Sequence, residues 1–409
     1  MGLNTLPISV GSLSDVDLVQ LGSKTGFLWR SPNVTLAGMG LVSEVSLGVA
    51  AGAQDLTAML AARRGVDEVA LPGSGPVAFA AMPFDRNAVG SAQLPDVVIG
   101  QAGTQRFVTM PDGYRIDDVV EQVAAVGLDD PELMPATIRI APGIEAVTWR
   151  DDIVTLARDH LQNSDVAKVV LARELVLHAD RVFPIGRVVR DLGRRFPEAL
   201  LFAVDGFIGA SPELLVSRSE RTVRAHPLAG TASRNDDAQV DAARIEELRS
   251  SAKDRAEHRI TIDWLLAELL AYCSYVDAEP EPSVLSMANV HHLGTKVEGV
   301  LSSPPASVID LVAAVHPTPA VGGDPQNEAL DLISELEGFD RGRYGGPTGW
   351  VDADGNGEFA VSVRSAHVDG SNATVSAGVG VVAQSDPESE LLETQAKFRA
   401  MLSSLLNPR

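Results

Sequence analysis

Cysteine is all but missing. Cys273 is the single one in the chain, which excludes an internal disulfide framework and leaves a packed core to hold the fold. It sits in "LLAELLAYCSYV" and reads as a small buried residue on a helix. Positive charge is also scarce. Lys and Arg number 33 against 55 Asp and Glu, for a net charge of −22. No basic stripe for nucleic acid is expected, and an anionic membrane surface would repel the chain. An anionic ligand would have to be drawn by a few placed cations or a metal, against the overall field. No apolar run reaches the roughly 18 residues of a membrane-spanning helix. The first twenty residues hold two aspartates and no basic stretch, and Leu6 stands where a myristoylation signal wants Ser or Thr. Neither signal peptide nor lipid anchor is expected, and the chain reads as cytoplasmic. No C-x-x-C or H-E-x-x-H frame marks a zinc site, and no G-x-S-x-G marks a nucleophile elbow. Short repeats and low-complexity tracts are absent too.

What is present is an ample core, with 45% apolar residues. Strand-like runs dominate: "FLWRS", "VTLAG", "VAFAAMPF", "DVVIG", "RFVTM", "KVVLARELVL" and "ALLFAVDGFIGA". "LLVSRSERTVRAHPL" reads as a hairpin turning at Ser219–Glu220, and a second hairpin turns at Asp369 to Asn372. Helices read at "DIVTLARDHLQN", over one long stretch from Asp237 to Cys273, at "PASVIDLVAAV", and from Asp386 to Leu406. Strands come in runs with helices between the runs. This predicts an α+β fold with large antiparallel sheets, not a parallel βαβ array. "GLDDPELMPATIRIAPG" is a candidate linker near residue 145, although nothing requires two folding units.

Several residues carry chemistry. "GVGVVA", from Gly378, fits the dinucleotide pattern G-x-G-x-x-A, but no helix follows the glycines, so backbone close to a ligand is the better reading. The last helix opens with Asp386 as N-cap and Pro387 in its first turn. Glu390, Glu393 and Lys397 share one face of it, by spacings of three and four. Taken alone, Glu393 and Lys397 suit a solvated surface pair. Asp254 and Glu257 repeat the acidic i, i+3 theme, and two such helices together suit a hard cation such as Mg²⁺. Lys168 opens an apolar strand and Glu213 another. Each has a plain reading, as an edge lysine reaching water and a turn carboxylate. Burial would push the first down and the second up in pKa, as base and acid require. His291, His292 and His316 are further candidates. "HPTPAVGGDP", from His316 to Pro325, is a loop shaped by prolines with small side chains at its centre.

In order along the chain, "KVVLAR", "GASPELLV", "HPLAGTASR", "KDRAEH", "HHLGTKVEG", "HPTPAVGG", "FDRGRYGGPTGW", "SVRSAHV", "SAGVGVV" and "ESELLETQAK" resemble the motifs of the chorismate-utilising enzymes. These include isochorismate, salicylate, anthranilate and aminodeoxychorismate synthases. "FLWRSPNVTLAGMG" and "GPVAFAAMPFD" extend the resemblance into the first third. It implies one large α+β domain over 1–409, aminodeoxychorismate synthase-like, with two antiparallel sheets in a sandwich and helices outside. The catalytic region would span 148–405, with 1–147 the N-terminal portion of the same fold. Residue by residue, the resemblance makes Glu257 and Glu393 ligands of Mg²⁺, supported by Asp254 and Glu390. Tyr344 and Arg364 would grip the enolpyruvyl carboxylate of chorismate, helped by backbone at Gly378. Lys397 would lie near the ring carboxylate, and Gly230, Thr231 and His292 would line the ring.

The same resemblance ranks the family's reactions. Lys168 matches a water-activating lysine and Glu213 a general acid. Anthranilate synthases carry Gln in place of such a lysine. Aminodeoxychorismate synthases often carry a nucleophilic Lys where Ala229 stands in "PLAGT". Water addition is therefore expected, with no glutaminase subunit. Ala320, where salicylate synthases and aminating members place Thr, suggests release of isochorismate. A Mg²⁺-dependent isochorismate synthase, acting as a monomer, is the expected activity. The alternatives are a salicylate synthase and a chorismate-binding regulator without turnover. Menaquinone, siderophore and salicylate pathways all begin with this product.

Overall fold

A computed structural model describes residues 2–406, apart from 9, 10, 12, 49–52, 288 and 289. The protein is an α+β chain built on large antiparallel sheets with helices packed on them. Among the described residues, hydrogen bonds link twenty strands into one continuous network, and a separate three-stranded sheet joins Leu228–Ser233, Val290–Gly294 and Ser283–Ser286. Strands from the first 147 residues enter the main network directly. Phe27–Arg30 pairs with Leu200–Val204, and Val77–Ala81 pairs with Pro347–Asp352. Among the described residues no helix is long and apolar enough to cross a membrane.

The strand Lys168–Ala179 organises the site. Along one edge it pairs with Asn372–Val381 over ten registered residues. Alternation then sorts its side chains. Val169 and Leu171 enter the largest core cluster with Trp149, Val379, Val381 and Leu391, while Lys168 and Val170 face a cavity. The C-terminal helix Pro387–Leu406 packs over this sheet. Its Phe398, Met401 and Leu405 are buried in a second cluster with Leu177, Val375 and Leu192. Removing a buried aromatic of this kind costs about 3–5 kcal/mol, so the helix carrying Glu390, Glu393 and Lys397 is firmly seated.

Five local readings change. The stretch from Asp237 to Cys273 is two helices, Ala238–Ser250 and Ala252–Leu270. Ser251 is extended (ψ 113°), and its hydroxyl accepts from the Asp254 amide, so it caps the second helix. Cys273 is buried, but on the strand Cys273–Ala278. "ALLFAVDGFIGA" is a hairpin, Leu200–Val204 and Phe207–Ser211, turning at Asp205–Gly206. The hairpin placed at Ser219–Glu220 turns one residue later, because Ser219 still pairs with Thr222 and Glu220 takes φ 55°. The end of the candidate linker is ordered in the sheet, as the strand Ile138–Pro142 paired to Leu175–Ala179.

Candidate active site

A cavity of about 560 Å³ opens between the Lys168 strand, the helix Ala252–Leu270 and the C-terminal helix. Every residue given a role by the family resemblance lines it. The sequence reading missed Glu247, Ser389 and Gly380, which line it too. Nothing marks Glu247 within its polar helix. Gly380 had a signal, as the second glycine of the rejected dinucleotide pattern.

Lys168 is 3% exposed, so it is no edge lysine reaching water. Its ammonium is ion-paired with Glu257 at 2.7 Å. Gly380 makes room for that contact. A Cβ there would lie 2.7 Å from Lys168 Cε and 3.3 Å from Glu257 Oε1. Glu213 is 5% exposed, and its Oε1 has no hydrogen-bond partner. Burial pushes its carboxyl up to about 7, against the opposing pull of the Leu228 backbone, Lys168 and Arg364. The two candidates therefore differ. One is paired with an opposite charge, the other is a carboxyl with one oxygen left without a hydrogen bond in a water-poor place.

The opposite wall is a chain of hydrogen bonds. Arg364 takes a left-handed backbone (φ 54°), a conformation that concentrates at functional sites. Its Nη2 donates to His292 Nε2 at 3.3 Å. That nitrogen must then accept, so the ring proton sits on Nδ1, 3.0 Å from Thr231 Oγ1. Desolvation, then the nearby Arg364 and Lys397, holds His292 well below its ordinary pKa, so the ring is neutral. Thr231 and His292 are cross-strand partners beside a bulge, where Gly230 takes φ 79°. Tyr344 stands close by. A Cβ on Gly378 would meet its hydroxyl at 3.2 Å. Lys397 donates to the Gly378 carbonyl at 2.8 Å and pairs with Glu393 at 2.7 Å. The Glu393–Lys397 pair thus forms, but on the cavity wall, with the lysine side chain only 12% exposed.

The other histidines stand apart. His291 is buried between Ser286 and Asp241, and His316 donates to the Phe84 carbonyl at 2.9 Å. Neither lines the cavity. The loop from His316 to Pro325 lies along the Lys168 strand, with Gly323 opposite Val169 and Asp324 opposite Lys168. It brings Ala320 and Val321 into the wall.

Asp254, Glu257, Glu390 and Glu393 offer only oxygen donors, from two helices that face one cavity. Among the described residues no three acidic, histidine or cysteine side chains converge on one point. That donor set fits a hard cation that keeps waters and shares a carboxylate with its ligand, not an all-protein cage. A concave site with a buried unpaired acid, a buried lysine and an Arg–His–Thr wall suits acid–base chemistry on a small anion.

Comparison with known proteins gives the family. The family model for chorismate binding enzymes matches residues 13–406. The isochorismate synthase DhbC of Bacillus subtilis is 37% identical over 281 residues, covering 66% of this chain and 70% of its own. The isochorismate synthase EntC of Escherichia coli is 31% identical over 339 residues, covering 80% and 81%. A solved Bacillus anthracis structure, assigned as a 2,3-dihydroxybenzoate-specific isochorismate synthase, superposes with a TM-score of 0.82 at 31% identity. It covers 96% of this chain and 99% of that one.

Proposed function

The chain belongs to the chorismate-binding enzyme family, and within it we propose an isochorismate synthase, an isomerase that moves the chorismate hydroxyl from C4 to C2. The observation that carries the reading is the pairing of Glu213 with Lys168 in one cavity, a carboxyl raised to about 7 beside a buried amine. The relatives above, named as isochorismate synthases, support it.

In this reading Lys168 accepts a proton from the water that adds at C2. Glu213 gives its proton to the C4 hydroxyl, which leaves as water while the ring double bond shifts. One water enters and one leaves. With a pKa near 7, Glu213 holds its proton in a sizeable fraction of molecules at neutral pH, as a general acid must. Paired with Glu257, the Lys168 ammonium has no lone pair, so it must first lose its proton and turn from Glu257 to the water before the neutral amine can act as the base. Arg364 offers a planar fork for the enolpyruvyl carboxylate, with Tyr344 beside it. The neutral His292 leaves the Arg364 charge to the substrate. Ala229 presents a methyl group to the cavity, so no lysine stands there to attack the ring. Ala320 leaves the product without a hydroxyl to hold it. Glu257 and Glu393, with Asp254 and Glu390 behind them, would hold Mg²⁺, which when bound supplies positive charge for the ring carboxylate. No glutaminase subunit is needed for water addition, and the chain acts as a monomer.

The test is a product assay. The purified chain is incubated with chorismate and Mg²⁺, with an EDTA control, and products are separated by chromatography with mass detection. Isochorismate with little pyruvate, lost with EDTA, is expected. Stoichiometric salicylate and pyruvate would make it a salicylate synthase. Bound chorismate without turnover would overturn the enzyme reading.

A further inference from the structure

One edge of the Lys168–Ala179 strand has a gap. Lys168 and Val169 pair with Asp324 and Gly323, and from Leu175 onward the strand pairs with Ile138–Pro142. Between these two pairings the backbone groups that face this edge are met by other means. The Val170 amide donates to the Gly322 carbonyl at 2.9 Å, and Trp149 Nε1 donates to the Ala172 carbonyl at 3.2 Å. The Gly143 amide donates to the Glu174 carbonyl at 3.0 Å, and one side-chain pair takes two more groups. Arg341 Nη2 donates to the Val170 carbonyl at 2.6 Å, and the Ala172 amide donates to Glu337 Oε1 at 2.6 Å. A buried ion pair thus does what a missing strand would do.

The pair reaches further. Arg341 and Glu337 join side-on through two hydrogen bonds, with side chains 3% and 2% exposed. Arg341 Nη1 donates to the Val321 carbonyl at 2.9 Å, and the guanidinium lies over the Phe84 ring at 4.2 Å. The Tyr344 amide donates to the Arg341 carbonyl at 2.9 Å. One guanidinium therefore ties the strand that begins with Lys168 to the loop that presents Ala320 and Val321. Neither Glu337 nor Arg341 lines the cavity.

We propose that Glu337 and Arg341 are positioning residues for the reaction, fixing Lys168 against the Ala320–Val321 wall. The proposal rests on the isochorismate synthase reading for its chemistry. The wall and the base must stay in register for water to be held at one carbon of the ring. A planar fork with fixed directions sets that register, and an ammonium cannot replace it.

The test compares Arg341→Lys and Glu337→Gln with the unmodified chain. Four things are measured: the thermal midpoint, amide hydrogen exchange, chorismate affinity, and kcat with KM. Both variants keep volume and polarity. The expected result is a folded chain whose exchange quickens at residues 170–172 and 321–322, with the C-terminal helix unchanged. KM stays within about threefold, because Arg364 and Lys397 still hold the anion. The kcat falls at least about tenfold, as a displaced catalytic group predicts. A folded variant with unchanged kcat overturns the proposal. So does uniform exchange with activity falling only as the folded fraction falls, or failure of both variants to fold. If the unmodified chain makes no isochorismate, the functional reading fails on its own. Exchange and chorismate affinity then still decide whether the pair sets the cavity wall.

Discussion

Two buried carboxylates, one lining the cavity and one behind its wall, are treated in opposite ways. Glu337, behind the cavity, is saturated by Arg341 and the Ala172 amide. Glu213, facing the cavity, has an oxygen with no partner and a carboxyl raised by burial. Both are 5% exposed. Burial therefore does not distinguish a structural carboxylate from a reactive one, but hydrogen-bond satisfaction does. A satisfied buried group is held in one place. An unsatisfied one carries a cost that only function repays.

The largest expected effect comes from removing the reactive member. Glu213→Gln keeps shape but cannot give a proton, so kcat should fall about 1,000-fold, with chorismate affinity retained. Steady-state kinetics with direct binding checks this, and an unchanged kcat would erase the contrast. Next comes the saturated member. Glu337→Ala leaves Arg341 buried without its partner and the Ala172 amide unmet, a loss of about 3–5 kcal/mol in denaturant unfolding.

The third prediction uses pH. The Glu213 pKa is raised in the folded chain, to about 7 from its ordinary 4.5, so unfolding releases a proton between these values. Its contribution to stability is present below the lower value and is lost as pH rises through the upper one. Glu213→Gln should therefore gain on the native chain as pH rises, by on the order of 3 kcal/mol above pH 8. Unfolding curves at pH 5 and pH 8 give the comparison, and an equal gain at both would contradict it. The smallest effect is a control from the surface. Arg224 and Glu298 pair at 2.7 Å, with both side chains more than half exposed. Arg224→Ala should cost less than about 1 kcal/mol, and less again in high salt.

Much of the cavity was legible because its residues sit in motifs whose order survives in the sequence. Lys168, Glu213, Arg364 and Glu393 lie far apart in the chain, and only the resemblance put them together. The α+β class was legible from strand runs alone. Other features depended on tertiary facts. The break at Ser251 is the second of two adjacent serines within a polar helical pattern, and a cap of that kind looks like any exposed serine until the chain turns there. Cys273 follows an apolar helical run, so its place on a strand shows only once Val297–Leu301 lies beside it. Glu337 and Arg341 are spaced four apart, like any solvated helix pair. What makes them different is the gap in a strand some 165 residues earlier, which no local pattern encodes.

Gly380 has a consequence of another kind. At most positions in a protein the side chain is what selection acts on, and here it is the lack of one. Lys168 and Glu257 already fill the volume that a single added carbon would need. In a saturation-mutagenesis map even alanine should therefore push the end of the Lys168 side chain off its Glu257 contact, and larger residues should intrude on the same pair, although no atom of Gly380 takes part in acid–base chemistry. A scan that ranks sites by functional groups would overlook it, and one that ranks them by lost fitness would place it beside Lys168. The chemistry of this cavity is thus guarded by volume as well as by charge.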